Sequence, residues 1–269
     1  MILIRIMGRM ILKLCGLCLV TAVVSIAALI VWLLRPLEEQ DKIINALDSR
    51  YLIAHAGGTV DGKTYTNSRE ALVASLDKGF KYIEIDLYMT SDSNVVCLHE
   101  LKDYNRMTSS NYNHIDTETF QNNKLYGRYT PMTLENAVKI WEERPFYFVT
   151  DKISDPQILN TFFRKNRDMV FVEAFTLNDY IQLEKDGYNP MLTRDGNIKG
   201  LIWFLVRNLV CGNKVSRIAT CPVNDLFLRI YKNMDVNVSM FTINDECYYN
   251  SHIGKYIDYI YTDSIEPQN

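Results

Sequence analysis

From Tyr51 onward, short apolar runs alternate with amphipathic stretches along the chain. "YLIAH" (51–55), "KYIEIDLYM" (81–89), "NVVCLH" (94–99), "FYFVTD" (146–151), "MVFVEAF" (169–175) and "PMLTR" (190–194) read as strands. They are short and rich in β-branched and aromatic residues. "RIATC", "VNVSMFTI" and "YIDYIYTD" continue the series to residue 263. Between them the period changes to that of a helix. "NSREALVASLDKG" (67–79) has Ala71, Leu72, Ser75 and Leu76 on one face and Asn67 or Ser68 as its cap, and "TLENAVKIWEE" (133–143) has Thr133 as cap. Residues 155–166, "LNDYIQLEKDG", "IKGLIWFLVRNLV" and "NDLFLRIYKNM" read as further helices. Strands alternating with helices imply a parallel sheet, and about eight such units imply a closed (β/α)8 TIM barrel spanning 51–267. The polar stretch from Glu100 to Pro131 is too long for an ordinary connection and reads as a lid or substrate-binding insert.

The first fifty residues follow another pattern. Leu14 to Leu34 contains 21 residues without a charge. At about 1.5 Å per residue such a helix spans a hydrocarbon core of about 30 Å. Arg5, Arg9 and Lys13 precede it with no acid, and Arg35, Pro36 and "EEQD" follow. The positive-inside rule then gives a cytoplasmic basic segment (1–13), a single transmembrane helix (14–34), a linker (35–50) and an outer domain (51–267). The apolar run is longer than a signal peptide's and ends "VWLL" with no small-x-small cleavage pattern. A lone anchor with few cysteines suits a bacterial cell surface.

Charge and cysteines narrow the class. The 269 residues carry a net charge of −3, so nothing recommends nucleic acid as a partner. Of six cysteines, Cys15 and Cys18 lie in the anchor, and the others lack metal-site spacing. A bridge between Cys211 and Cys221 stays open, but the domain does not have a disulfide framework. "IKGLIWFLVRNLV" has only 13 residues and includes Lys199 and Arg207, so it reads as a buried or surface-docking helix rather than a second span.

In such a barrel the chemistry sits at the C-terminal ends of strands. His55 ends the first predicted strand, Glu84 and Asp86 lie toward the end of the second, His99 ends the third, and Asp151 and Lys152 end the fourth. At i and i+2, Glu84 and Asp86 point to one face. Two like charges in a low-dielectric mouth call for a divalent cation, or for an Arg or Lys at the rim. Gly57 and Gly58 either hold a phosphate through their amides or turn the chain.

The ordered set "HAGG", "YTNSREA", "EID", "HE", "TDK", "FTIN" and "TDSIEP", over about residues 51–267, resembles the glycerophosphodiester phosphodiesterases, relatives of phosphatidylinositol-specific phospholipase C. The resemblance implies that Glu84, Asp86 and Asp151 bind one divalent ion, Ca²⁺ or Mg²⁺. It makes His55 and His99 the acid–base or nucleophile pair and Lys152 a phosphate contact. It implies hydrolysis of glycerophosphodiesters, or of related phospholipid or surface-polymer diesters, to an alcohol and glycerol 3-phosphate. Four positions depart from the pattern: Ala56 replaces an arginine, Thr66 a glutamate, Asp151 a glutamate and Phe241 a tryptophan. A sphingomyelinase D-like lyase, a glycerophosphoryl transferase and an inactive membrane-tethered binding protein are the competing readings.

Overall fold

The computed structural model describes residues 2–37, 50–212 and 214–268, with side chains from Cys18 onward except at position 210. Met1, the side chains of residues 2–17, basic ones included, and most of the 35–50 linker lie outside the described residues.

Eight parallel strands close into a barrel. They are β1 (Leu52–Ala54), β2 (Tyr82–Met89), β4 (Tyr147–Asp151), β5 (Val170–Ala174), β6 (Asn189–Arg194), β7 (Arg217–Thr220), β8 (Asn237–Met240) and β9 (Tyr259–Thr262). Each pairs in parallel with the next, and β1 closes the ring by pairing with both β2 and β9. This is the expected (β/α)8 architecture. One predicted strand is not part of it. β3 (Val95–Cys97) runs antiparallel to β2, with Leu87 opposite Cys97 and Met89 opposite Val95. It is the return limb of a hairpin that extends β2 above the barrel, so His99 ends a descending strand, and the barrel's third strand is β4.

The stretch read as a long loop is a folded insert. α3 (Leu101–Thr108) and α4 (Thr117–Asn122) follow β3, and Tyr104, Met107, Ile115, Phe120, Leu125 and Tyr129 pack with Val96 and Leu98 into a core of their own. Leu101, Tyr104 and Met107 recur at helical spacing, but both helices are short and mostly polar, which hid them.

The outer helices are α2 (Arg69–Asp77), α5 (Leu134–Glu143), α6 (Pro156–Phe162), α7 (Leu177–Lys185), α8 (Ile198–Leu205), α9 (Asp225–Asn233) and α10 (Glu246–His252). Ser68 caps α2 by accepting the Ala71 N–H, and Thr133 and Asn136 form a reciprocal capping box on α5. α8 continues as a π-helical turn, Val206–Val210, and buries Leu201 and Phe204 while exposing Ile198, Ile202 and Val206. The described cysteines are all free, Cys211 and Cys221 included, and the Cys221 thiol instead accepts the Gly196 N–H.

The period of two sorts the barrel lumen into layers. Tyr82 stacks on Tyr147 with ring centroids 4.5 Å apart, and Phe171 and Tyr259 complete an aromatic floor. Two residues further along β2 and β5 come Glu84 and Glu173, and four further along β2 and β4 come Asp86 and Asp151. An apolar floor thus raises the acids to the C-terminal mouth.

Before the barrel, Ile2–Leu33 form one helix, α1. Its end is tied to α9, where the Asn233 amide donates to the Leu33 and Arg35 carbonyls at 2.9 and 3.0 Å. Among the described residues no helix is long and apolar enough to cross a membrane, so the span expected at 14–34 is not shown by the fold.

Candidate active site

A cavity of about 260 Å³ opens at the C-terminal mouth, and His55, Glu84, Asp86, His99, Asp151 and Lys152 all line it. β1, β2 and β4 deliver their residues as parallel strand ends. His99 arrives differently. Leu98 donates its N–H to the Asp86 carbonyl at 3.0 Å, which ties the descending limb of the hairpin onto the mouth. The next residue, His99, is thereby set beside the top of β2.

Both histidines are held from behind. His55 Nδ1 lies 2.9 Å from Asp263 Oδ1, and His99 Nδ1 lies 2.9 Å from Asp103 Oδ2. A carboxylate only accepts, so each Nδ1 carries the proton and each Nε2 is left for chemistry. Asn244 fixes Asp263 in turn, donating from Nδ2 to Asp263 Oδ2 at 3.0 Å and accepting the Asp263 N–H at 2.8 Å. Burial pushes Asp263 up, but hydrogen bonds from His55 and Asn244 outweigh it and hold its pKa below the usual range. Asp103 is likewise lowered, its burial outweighed by His99 and Arg106.

Tyr65 stands between the two imidazoles, its ring edge-on to both, with centroids 4.6 Å from His55 and 5.6 Å from His99.

The carboxylates converge below. One oxygen each from Glu84, Asp86 and Asp151 lies within 4.8 Å of the others. Glu84 Oε2 accepts the Ala56 N–H at 2.6 Å, while Glu84 Oε1 is buried with no partner. Asn67 clamps Asp86, donating from Nδ2 to Oδ2 at 2.9 Å and accepting the Asp86 N–H at 3.0 Å. Asp151 is the acid that meets a rim cation, with Lys152 Nζ 3.1 Å from its Oδ2. Burial, then Asp86 and Asp151, pushes Glu84 well above the carboxylate range. Burial and Asp151 also raise Asp86, against the pull of Asn67. Three converging carboxylates, one of them with an orphaned buried oxygen, fit a hard divalent cation with oxygen ligands. His99, Glu100 and Asp103 also approach one another, but Asp103 already serves His99 and Arg106, and Glu100 pairs with Lys102.

Gly57 and Gly58 do not line the cavity. At φ of +81° and +89° they turn the chain behind it, and a Cβ on Gly58 would sit 2.0 Å from Ser75 Oγ. Ala56 is fully buried, and its contribution to the site is its N–H.

The sequence reading missed a fourth acid, Glu173, which Thr193 Oγ1 meets at 2.9 Å. Burial and Asp151 push it up to about 8. It gave Asn67 only a capping role and assigned none to Tyr65, Asp103 or Asp263. Asn67 and Asp263 fall inside the quoted "YTNSREA" and "TDSIEP", so the signal was present without its partner.

Solved structures share this fold at low identity. A glycerophosphoryl diester phosphodiesterase from Parabacteroides distasonis superposes with a TM-score of 0.60 at 17% identity, covering 87% of each chain. A phosphodiesterase from Oleispira antarctica in complex with the product sn-glycerol-3-phosphate gives 0.61 at 16%, over 80% of this chain and 93% of that one. A glycerophosphodiester phosphodiesterase from Thermotoga maritima gives 0.60 at 18%, over 80% and 95%. Comparison with curated protein sequences gives no match. The model of the glycerophosphoryl diester phosphodiesterase family matches residues 56–196, more than half of the chain. This chain therefore belongs to that family and is an enzyme, a hydrolase of phosphoric diesters.

Proposed function

We propose that this enzyme hydrolyses glycerophosphodiesters to an alcohol and glycerol 3-phosphate by acid–base catalysis from His55 and His99. The observation that carries the reading is the matched pair of imidazoles, each fixed at Nδ1 by a carboxylate and each lining one cavity. His55 Nε2 takes the proton from the attacking oxygen, and His99 Nε2 returns one to the leaving alkoxide. In a glycerophosphodiester the neighbouring glycerol hydroxyl is such a nucleophile, giving a cyclic phosphate that water then opens. Lys152 faces the cavity and supplies positive charge to the phosphate. Glu84, Asp86 and Asp151 would hold one divalent cation, Ca²⁺ or Mg²⁺, which when bound neutralises a non-bridging oxygen and acidifies the attacking group.

The test is turnover of glycerophosphodiesters with different alcohols, with chelator and after Ca²⁺ or Mg²⁺ is restored. Glycerol 3-phosphate and free alcohol should appear, disappear on chelation and return with the ion. Chelator-insensitive turnover would remove the cation. A cyclic phosphate as final product would favour a lyase, and transfer to an added glycan a transferase.

We also propose that the uncharged run 14–34, whose side chains are described only from Cys18 onward, anchors the enzyme in a membrane, with residues 51–267 on the outer side. Leu19, Val20, Val23, Val24 and Val31 are each more than half exposed on it, an apolar surface that water does not favour. Membranes washed at alkaline pH should retain the full-length protein. Its release into the wash would count against the anchor.

A further inference from the structure

A second hollow, of about 340 Å³, adjoins the catalytic cavity, and Phe175 lines both. Two arginines, Arg194 and Arg207, line it with Trp203 between them. We propose that this hollow is an anion subsite for the alcohol portion of the substrate, so that favoured diesters carry a second phosphate or a carboxylate there. The proposal rests on the phosphodiesterase reading above for its substrate.

Arg194 is the last residue of β6, and its neighbour Thr193 lines the catalytic cavity. The strand end therefore aims one residue at the reacting site and the next into the hollow. The Arg194 Cζ lies 4.0 Å from the Trp203 ring centroid, and the Arg207 Cζ lies 5.4 Å from it. Stacking on an aromatic face fixes a guanidinium's fork in advance of a ligand. Arg194 Nε is buried and has no hydrogen-bond partner, an arrangement that costs free energy until an acceptor arrives. Asp195, next in the chain, is exposed, and among the described residues no carboxylate forms an ion pair with either arginine.

Two cations held on one ring repel each other, and a dianion or carboxylate between them relieves that repulsion while accepting bidentate hydrogen bonds. The reacting phosphate does not need this charge, because Lys152 lines the other cavity, as do Glu84, Asp86 and Asp151, which would hold a divalent cation there. Continuity through Phe175 places the hollow where the substrate's alcohol would extend. No new bond is made or broken there, so the subsite acts by binding alone.

The experiment compares glycerophosphoglycerol with two analogues on the same carbon skeleton, one with the terminal hydroxyl phosphorylated and one with a carboxylate in place of the terminal CH2OH. Wild-type kcat/KM for both anionic diesters should exceed that for the neutral one by about 10-fold, with the difference shrinking in high salt. In Arg194→Gln and Arg207→Gln this ratio should fall toward 1. A variant that merely folds poorly would lower both rates and leave the ratio intact, which would overturn the subsite. So would equal kcat/KM for the three diesters in the wild type. Equilibrium binding of the same diesters to His55→Ala protein separates the two readings. If none is turned over by the wild type while His55→Ala protein still binds the anionic ones about 10-fold more tightly, the hydrolase reading fails and the subsite stands. Equal affinities overturn the subsite whatever the activity.

Discussion

Each of the two imidazoles lining the cavity is held by an acid behind it. Asp263 and Asp103 can only accept, and that alone decides which nitrogen faces the cavity. Asp263→Asn keeps the shape but lets an amide donate to Nδ1, favouring the wrong tautomer. Turnover should drop by about 100-fold or more with the circular dichroism spectrum unchanged, and a near-normal rate would deny Asp263 its positioning role. Asn67 does the same for Asp86 through two hydrogen bonds. Asn67→Ala should weaken divalent-ion affinity by about 10- to 100-fold, read by titrating the ion into chelator-stripped protein. His55, His99, Asp151 and Lys152 were readable because they follow apolar runs, and Glu84 and Asp86 because they interrupt one at i and i+2. Their supports were not. His55 and Asp263 are 208 residues apart and meet only because β1 pairs with β9, with Ala54 opposite Thr262. Local pattern carries no trace of that closure. The glycines of "HAGG" were readable only as an ambiguity; the positive φ of both and the cramped space behind Gly58 are what the turn requires.

Elements differ in how far their sequence betrays them. α2 and α5 combine a cap with a clean apolar stripe, and both form as expected. β3 has the composition of a buried strand, and composition does not encode direction. Its antiparallel return was invisible in "NVVCLH" because the preceding "TSDSN" looks like any strand-ending turn. The consequence is functional: His99 and its partner Asp103 ride on the hairpin and α3 rather than on the barrel frame. Their alignment therefore depends on the small core beneath α3 and α4, where Tyr104 packs on Phe120 at 5.2 Å between ring centroids. Phe120→Ala should cost about 3–5 kcal/mol within that insert. Amide exchange should quicken in residues 101–129 and less in β4–β9, and kcat should fall while Asp263→Asn effects on His55 remain separable. Uniformly faster exchange across the barrel would show instead that the insert and barrel unfold as one unit.

At the scale of the whole molecule, closing the barrel concentrates acid where water is scarce. Glu84 and Glu173 are both buried, and burial raises both, Glu173 to about 8. In the unfolded chain such groups titrate at about 4.3. Between those values the folded protein without a cation binds protons that the unfolded chain has released. Their contribution is therefore complete below the unfolded pKa and is lost as pH rises toward 8, by up to about 1.4 kcal/mol per pH unit for each proton held. Asp103 and Asp263 have the opposite sign, but their lowered pKa values place that loss below about pH 4, outside this window. A divalent cation takes the ionised carboxylates and competes with those protons. Chelator-treated protein should thus show a melting temperature that falls between about pH 5 and 8. Saturating Ca²⁺ or Mg²⁺ should raise it, and by more at pH 8 than at pH 5, as ligand binding to the folded state requires. Scanning calorimetry at both pH values with and without the ion reads all four terms. A cation shift equal at the two pH values would mean that binding does not displace protons from the buried acids, and the ion would then belong elsewhere than between Glu84, Asp86 and Asp151.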